Sequence, residues 1–426
     1  MSIFYTLGVL IYRSGIGIAS IFHAKARLWI AGRRGWEGRL RAGMGDAGDW
    51  IWFHCSSLGE FEQGRPLIEA IKKEHPGQKI LLSFFSPSGY EPRKGYPHAD
   101  HICYLPLDTP GNARMFLDIV RPRLAVFVKY DLWLNFIHAA HSNGVPLVLI
   151  SALVRKDSRF LNSVIKNAYR KAFAQFSWIF TQDAESAGLI GSFAGIHRIS
   201  VAGDTRFDRA AELPQKFQPL PLIERFISGR RCIIAGSTWP DDEAIILPVI
   251  EEMRRNDLCW ILAPHETHPR QIGHRIANSP GRMARYSELE GSSSSCDVLW
   301  IDNIGMLSTL YHYGDLAYIG GGFGRGIHNT QEAAVYGNPV IFGPNHSRFQ
   351  EAVDMVGRGG AKSVSTAQEL HSAILHWLDN PSLHAATRLG NISYMQSKKG
   401  ATKAILAKLN LLGYLNPAPK DQERSL

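Results

Sequence analysis

Short, continuous apolar runs separated by helical stretches recur along this 426-residue chain, and that alternation constrains its fold more than any other feature. Trp50 to His54, Ile80 to Phe85, Leu124 to Val128, Leu147 to Ile150 and Trp178 to Thr181 show little polar alternation. Strands of that kind are buried on both faces of a parallel sheet. Between them, segments such as Gln63 to Glu74 carry apolar residues at helical spacing. Glu212 to Leu222, with Pro214, Pro219 and Pro221, interrupts the pattern as a linker. It then restarts with Cys232 to Ala235, Trp260 to Ala263, Val298 to Trp300, Leu316 to Ile319 and Pro339 to Phe342. The expectation is an α/β protein of two doubly wound, Rossmann-like domains facing a cleft. Their spans are 35–211 and 223–400, joined by 212–222, with a carboxy-terminal helix and tail at 401–426 that frays after Asn416. Ser292 to Ser295 reads as a local polar loop.

The amino-terminal segment, 1–34, differs from the rest. Ile3 to Phe22 is apolar but carries Arg13 near its middle. A membrane-spanning helix needs roughly 20 apolar residues, and a central Arg costs at least about 2.5 kcal/mol on insertion scales. A small-residue cleavage site of the secretory type does not follow. The segment is therefore expected to lie in a membrane interface, with the basic residues behind it keeping the protein on the cytoplasmic side. The competing expectation is an amphipathic helix packed on the protein itself. Lys25, Arg27, Arg33, Arg34, Arg39 and Arg41 follow, with Trp29 and Trp36 among them. With a formal charge of +9 and a pI near 9.3, the chain is suited to an anionic partner. Nucleic acid is disfavoured, because the sequence has no RNP-like aromatic stripe or helix-turn-helix. Cys55, Cys103, Cys232, Cys259 and Cys296 form no C-x-x-C pair, which argues against a disulfide framework or a zinc site.

Chemistry-bearing residues gather where strands end. Ile319 to Gly326 is a glycine loop followed by His328-Asn329-Thr330-Gln331-Glu332, read as the opening of a helix with Asn329 and Glu332 on one face. That arrangement suits the ribose end of a nucleotide; the alternative is a glycine-rich turn with a helix cap. Glu60, in Ser57-Leu58-Gly59-Glu60, is placed to act as a general base or simply to cap its helix. Lys129, in Lys129-Tyr130-Asp131-Leu132-Trp133, and Arg206 are cations suited to binding a carboxylate or to offsetting charge on a leaving phosphate, unless Arg206 pairs with Asp204 or Asp208. Gly236-Ser237-Thr238 offers donors to a phosphate, and Pro264 to Pro269 frames a base or phosphate. His265, Glu266 and His268 lack the H-E-x-x-H register, so no metal is expected.

These motifs together resemble the 3-deoxy-D-manno-octulosonic acid (Kdo) transferases of lipopolysaccharide synthesis. Ser57 to Glu60 is similar to that family's Ser-Val-Gly-Glu, and Gly203 to Asp208 to its Gly-Asn-Leu-Lys-Phe-Asp. Asp302 to Leu307 is similar to Asp-Thr-x-Gly-Glu-Leu, and His328 to Glu332 to His-Asn-x-x-Glu. The resemblance implies a GT-B glycosyltransferase, inverting and metal-independent, that moves Kdo from CMP-Kdo to a lipid A precursor (lipid IVA) at the cytoplasmic face of the inner membrane. It makes Glu60 the general base, with Arg206 and Lys129 beside the leaving group. It also places CMP against Pro264, His265, Ile304, Gly305, Met306, Asn329, Thr330, Gln331 and Glu332, with CMP-Kdo as a substrate and no cofactor. Three departures mark a divergent branch: Lys129 stands where the family has the first acid of Glu-x-Glu-Leu-Trp, Met306 replaces a Glu, and the Pro-Arg-His-Pro element is expanded to Pro264–Pro269. The alternatives are a nucleotide-sugar 2-epimerase on the same scaffold and, outside enzymes, a basic nucleic-acid-binding protein.

Overall fold

The strand runs form two all-parallel seven-stranded sheets in a computed structural model that describes residues 3–45, 49–277, 281–291 and 296–415. The chain divides into two units, Met1–Asp208 with Lys399–Leu426, and Arg209–Lys398. In the first, β1 (Trp50–Cys55), β2 (Lys79–Phe84), β3 (His101–Tyr104), β4 (Pro122–Val128), β5 (Leu147–Ala152), β6 (Trp178–Thr181) and β7 (Ile199–Val201) lie in the order β3-β2-β1-β4-β5-β6-β7. The second holds β8 (Arg231–Thr238), β9 (Leu258–Pro264), β10 (Met283–Arg285), β11 (Val298–Trp300), β12 (Leu316–Ile319), β13 (Val340–Phe342) and β14 (Ala361–Ser363). Their order is β10-β11-β9-β8-β12-β13-β14. The strand order of each sheet therefore changes direction once, between β1 and β4 and between β8 and β12. Crevices for ligands open at the carboxyl ends of strands beside such reversals.

Successive strand residues feed opposite faces of the sheet. Trp52 and Phe127 join one core cluster of the first unit, whereas Ile51, Phe53 and Val126 join the other. Ile233, Trp260, Trp300 and Tyr318 anchor a core of the second unit. The carboxy-terminal helix Ala401–Leu411 belongs to the first unit, where Ile405, Leu406 and Leu409 are buried. Burial stabilises by about 1.5–3 kcal/mol for each such side chain. Asp208 fixes the start of this helix by accepting from the backbone N–H groups of Gly400 and Thr402. The Ser292 to Ser295 loop and the tail from Asn416 lie outside the described residues.

The amino-terminal helix Ile3–Ala19 is packed on the first unit and also presents apolar surface to solvent. Tyr5 donates its hydroxyl to the buried Asp108 at 2.6 Å. The Tyr12 ring lies 6.1 Å from both Trp29 and Phe85. Facing outward, Phe4 is 80% exposed, Ile11 64% and Ile18 67%, and Phe22 just beyond is 76% exposed. Docking by one face and exposure of the other are thus combined, where the sequence set them as alternatives. No helix among the described residues is long and apolar enough to cross a membrane.

Candidate active site

In the first unit, the loop after β1 turns directly into the helix Leu58–Glu74, which starts five residues before its apolar periodicity does. Ser57 is the N-cap, and Glu60 closes a capping box onto it. Glu60 Oε2 accepts from the Ser57 N–H at 3.1 Å and from the Ser57 hydroxyl. Its Oε1 has no hydrogen-bond partner among the described residues, and the side chain is only 8% exposed. Glu60 is therefore both a cap and a carboxylate with one fixed and one available oxygen.

The loop after β4 supplies the neighbours. Lys129 adopts the left-handed backbone region at φ 67°, a conformation that costs a non-glycine residue about 1–3 kcal/mol and collects at functional sites. Its ammonium lies 5.0 Å from the Tyr130 ring centroid. Two residues on, Asp131 Oδ2 accepts from the Ser56 N–H at 2.9 Å. Burial, and then the negative charge of Glu60, push the Asp131 carboxyl well above its ordinary range. The Asp131 carboxyl thus lies close enough to Glu60 to sense its charge, and its burial biases it towards holding a proton. Sequence reasoning did not select Asp131, although it stands at the second acid of the family's Glu-x-Glu-Leu-Trp element.

Behind this loop runs a polar chain inside the sheet. Trp133 Nε1 donates to Ser56 Oγ at 3.3 Å, and Ser56 Oγ is 3.4 Å from His54 Nε2. His54 Nδ1 is 2.9 Å from Ser83 Oγ, which also accepts from Trp52 Nε1 at 2.8 Å. Burial lowers the His54 pKa to about 3, so the ring is neutral and serves to orient the Ser56 turn.

Arg206 is less free than a phosphate ligand would be. Asp204, 6% exposed, receives its Nη2 at 2.6 Å and its Nε at 2.9 Å. Burial works against the Asp204 charge, but Arg206 outweighs it and holds the carboxyl below its usual range. Gln63, one turn beyond Glu60, donates to both oxygens of Asp204 at 3.3 Å. The Arg206–Asp204 pair is thereby braced against the helix that carries Glu60, while Asp208 is engaged with the carboxy-terminal helix.

In the second unit, β8 is irregular one residue before its end at Thr238, where Ser237 is also left-handed at φ 55°. Gly320 follows β12 so closely that a Cβ there would overlap the Ser237 carbonyl oxygen. Asp242 joins the two strand ends, accepting from the Trp239 N–H at 2.9 Å, the Gly321 N–H at 2.8 Å and the Tyr318 hydroxyl at 2.9 Å. On this base three rings stack. Trp239 lies 4.6 Å from His265, which lies 4.6 Å from His328. Trp239 Nε1 donates to His328 Nε2 at 2.9 Å, so that nitrogen must be unprotonated. Burial first, and His265 second, lower the His328 pKa to about 4. A neutral aromatic shelf results at the switch point. Neither Trp239 nor Asp242 was selected from the sequence, although Trp239-Pro240-Asp241-Asp242 after a strand is a helix-start signature.

The stretch read as a helix opening is mostly loop. The helix spans only Gln331–Ala334, and Asn329 precedes it. One turn has little macrodipole, so the dipole argument for an anion weakens there. The side chains nonetheless meet: Asn329 Oδ1 accepts from the Gln331 N–H at 2.9 Å, and its Nδ2 donates to Glu332 Oε1 at 3.1 Å. The Gln331 amide and the Thr330 hydroxyl are buried with no hydrogen-bond partner among the described residues. Beyond them, Tyr336 is pushed up to about 12 by burial and then by Glu332, which places that carboxylate beside the phenol. Burial, and then Glu332, also push up Tyr311, which follows the loop Ile304-Gly305-Met306. In that loop Ile304 is 88% exposed, Gly305 has φ 103° and Met306 Sδ accepts from Asn303 Nδ2 at 2.9 Å. Pro264 closes β9 in a buried position, and His265 donates its N–H to the Thr238 carbonyl at 3.0 Å. The five cysteines are unpaired.

Residues 31–209 match the sequence profile of the 3-deoxy-D-manno-octulosonic-acid transferase (kdotransferase) family. A 3-deoxy-D-manno-octulosonic acid transferase from Haemophilus influenzae is 27% identical over 405 residues, covering 92% of this chain and 93% of its own. The enzyme of that name from Aquifex aeolicus is 28% identical over 316 residues, covering 73% and 80%. Among solved structures, UDP-GlcNAc 2-epimerase from Neisseria meningitidis has a TM-score of 0.60 at 15% identity, over 85% of this chain and 100% of its own. The Methanocaldococcus jannaschii UDP-GlcNAc 2-epimerase reaches 0.50 at 16%, over 76% and 91%. At those identities the likeness is one of fold alone.

Proposed function

We propose that the chain, similar over most of its length to 3-deoxy-D-manno-octulosonic acid transferases, transfers Kdo from CMP-Kdo to a hydroxyl of a lipid A precursor, lipid IVA. The observation that carries the mechanism is the divided role of Glu60: Oε2 is fixed by Ser57, and Oε1 remains available. In the reaction Oε1 takes the proton of the acceptor hydroxyl as that oxygen attacks the anomeric carbon, and CMP leaves from the opposite side with inversion. Lys129 offsets negative charge near the reacting atoms, and Arg206 acts with Asp204 as a braced ion pair. The second unit holds the nucleotide. The shelf of Trp239, His265 and His328 offers a neutral face to a base, while Asn329 and Glu332 offer an amide and a carboxylate to ribose hydroxyls. No step calls for a metal or cofactor.

The outward apolar face of Ile3–Ala19 lies in the cytoplasmic interface of the inner membrane in this reading, bringing the first unit to an acylated acceptor. Incubation of the protein with CMP-Kdo and tetra-acylated lipid A precursor, followed by mass spectrometry, tests the proposal. The expected product is the precursor carrying added Kdo; intact substrates would reject it.

A further inference from the structure

The cations at the foot of the amino-terminal helix are not used by the chemistry above, and they surround a cavity of about 650 Å³ lined by Leu10, Arg13, Trp29, Arg33, Arg34 and Trp36 among others. That volume lies in the range of small-molecule sites. Arg33 is one of its lining residues. Its guanidinium lies 3.9 Å from the Trp29 ring centroid and 4.7 Å from that of Phe85. It donates to the carbonyls of Trp29 at 3.0 Å and Phe85 at 2.7 Å, and its Nε is buried without a partner among the described residues. None of Arg13, Arg33 and Arg34 forms an ion pair among the described residues. Burial without a counter-charge makes the Arg33 cation costly, shifting its pKa downward. A cation held in this way is poised for an anion from outside the chain.

A second cavity, of about 350 Å³, opens along the same helix between Phe4, Tyr5, Gly8, Val9, Tyr12, Phe85 and Trp133. Its side chains are almost wholly apolar, and Leu107 lines both cavities. An arginine pocket for an anion and an apolar slot for a hydrocarbon therefore adjoin, beside a helix whose far face is exposed and apolar.

We propose that the first unit binds a phosphate-bearing amphiphile here, with Arg13, Arg33 and Arg34 holding the phosphate and the Phe4–Trp133 slot taking an acyl chain. The chemical class follows from the two cavities; assigning the phosphate to the sugar acceptor rests on the transfer proposed above. The slot also reaches the reaction loop. Trp133 packs 4.3 Å from Phe85 and bonds to Ser56, beside the Glu60 turn. Occupancy of the slot is thus felt one residue from the cap of Glu60.

Calorimetric titration of the full chain with dihexanoyl phosphatidate below its micellar concentration tests this, with inorganic phosphate and dihexanoylglycerol as the two halves of the ligand. Phosphatidate is expected to bind more tightly than either half. Arg13→Gln with Arg34→Gln, at exposed positions that leave the fold intact, is expected to weaken it by about 10-fold or more. Unchanged affinity in that double variant overturns the proposal, and phosphate binding as tightly as phosphatidate overturns the amphiphile. Transfer assays in neutral detergent separate the sources. If the variant raises KM for a phosphorylated acceptor but not for its dephosphorylated form, the acceptor supplies the phosphate. Equal KM values with phosphatidate binding lost assign the site to a membrane phospholipid. A wild-type protein that binds phosphatidate but transfers no Kdo removes the transferase reading and leaves the site standing.

Discussion

Tyr5→Phe removes a single oxygen yet is expected to be among the more damaging changes in the amino-terminal helix. Asp108 is fully buried, and its carboxylate receives three donors: the Tyr5 hydroxyl at 2.6 Å, the Asn135 N–H at 3.2 Å and the Phe136 N–H at 3.1 Å. Losing a hydrogen bond to a charged group costs about 1.5–3 kcal/mol. For a unit of this size that lowers Tm by about 3–12 °C. Burial raises the Asp108 pKa to about 6, against the opposing donors of which Tyr5 is the first. A raised carboxyl contributes stability that is full below its unfolded pKa of 3.8 and is lost as pH climbs through 6. The Tyr5 bond favours the ionised form, so its loss hurts more at pH 7.5 than at pH 5. Thermal unfolding of wild type, Tyr5→Phe, Asp108→Asn and the double variant, at both pH values, measures this. The coupling is expected at pH 7.5, reduced at pH 5, and the Tyr5 penalty is expected to shrink in the Asn background. Equal penalties in both backgrounds and at both pH values would show that the hydroxyl docks the helix without engaging a charge.

The remaining expectations are more local. Gly320→Ala drives a methyl into the Ser237 carbonyl oxygen at the reversal of the second sheet, and overpacking against backbone costs about 1–3 kcal/mol or more; a Tm equal to wild type would refute the close approach. Asp108→Asn alone should flatten the fall in stability between pH 4 and 6, whose slope from one group is at most about 1.4 kcal/mol per pH unit. Chemical denaturation across that range reads it, and an unaltered slope would refute the raised pKa. Glu332→Ala should weaken CMP binding roughly 10–150-fold, the scale of a lost hydrogen bond involving a charged group. Unchanged calorimetric affinity would remove Glu332 from the nucleotide site.

Central strands were legible in the sequence because burial on both faces leaves an unbroken apolar run. Trp178–Thr181, Val298–Trp300 and Leu316–Ile319 fall where the runs put them. The strands that escaped, His101–Tyr104, Met283–Arg285 and Ala361–Ser363, sit at sheet edges, short and mostly half-exposed. At an edge the two-face burial that writes the apolar run is missing. The Gln331–Ala334 helix was over-extended for a related reason: Asn329 and Glu332 meet through an Asx-type cap, which has the spacing of a helical face without the helix. Glu60 was visible because its role as a cap has a sequence signature. The shelf of Trp239, His265 and His328 was not, since its rings come from three separate strand ends and only the topology brings them together.

In the proposed transfer Glu60 carries the proton, and the Glu60→Gln variant separates that role from helix capping. The amide keeps the size of the side chain and an oxygen to accept from Ser57, so CMP affinity and Tm are expected to stay near wild type. Single-turnover transfer from CMP-Kdo to the lipid A precursor, followed by mass spectrometry, is expected to fall by about 10²-fold or more, the scale of a lost general base. Transfer at the wild-type rate in a folded, CMP-binding Glu60→Gln protein would contradict the claim and leave Glu60 as a helix cap.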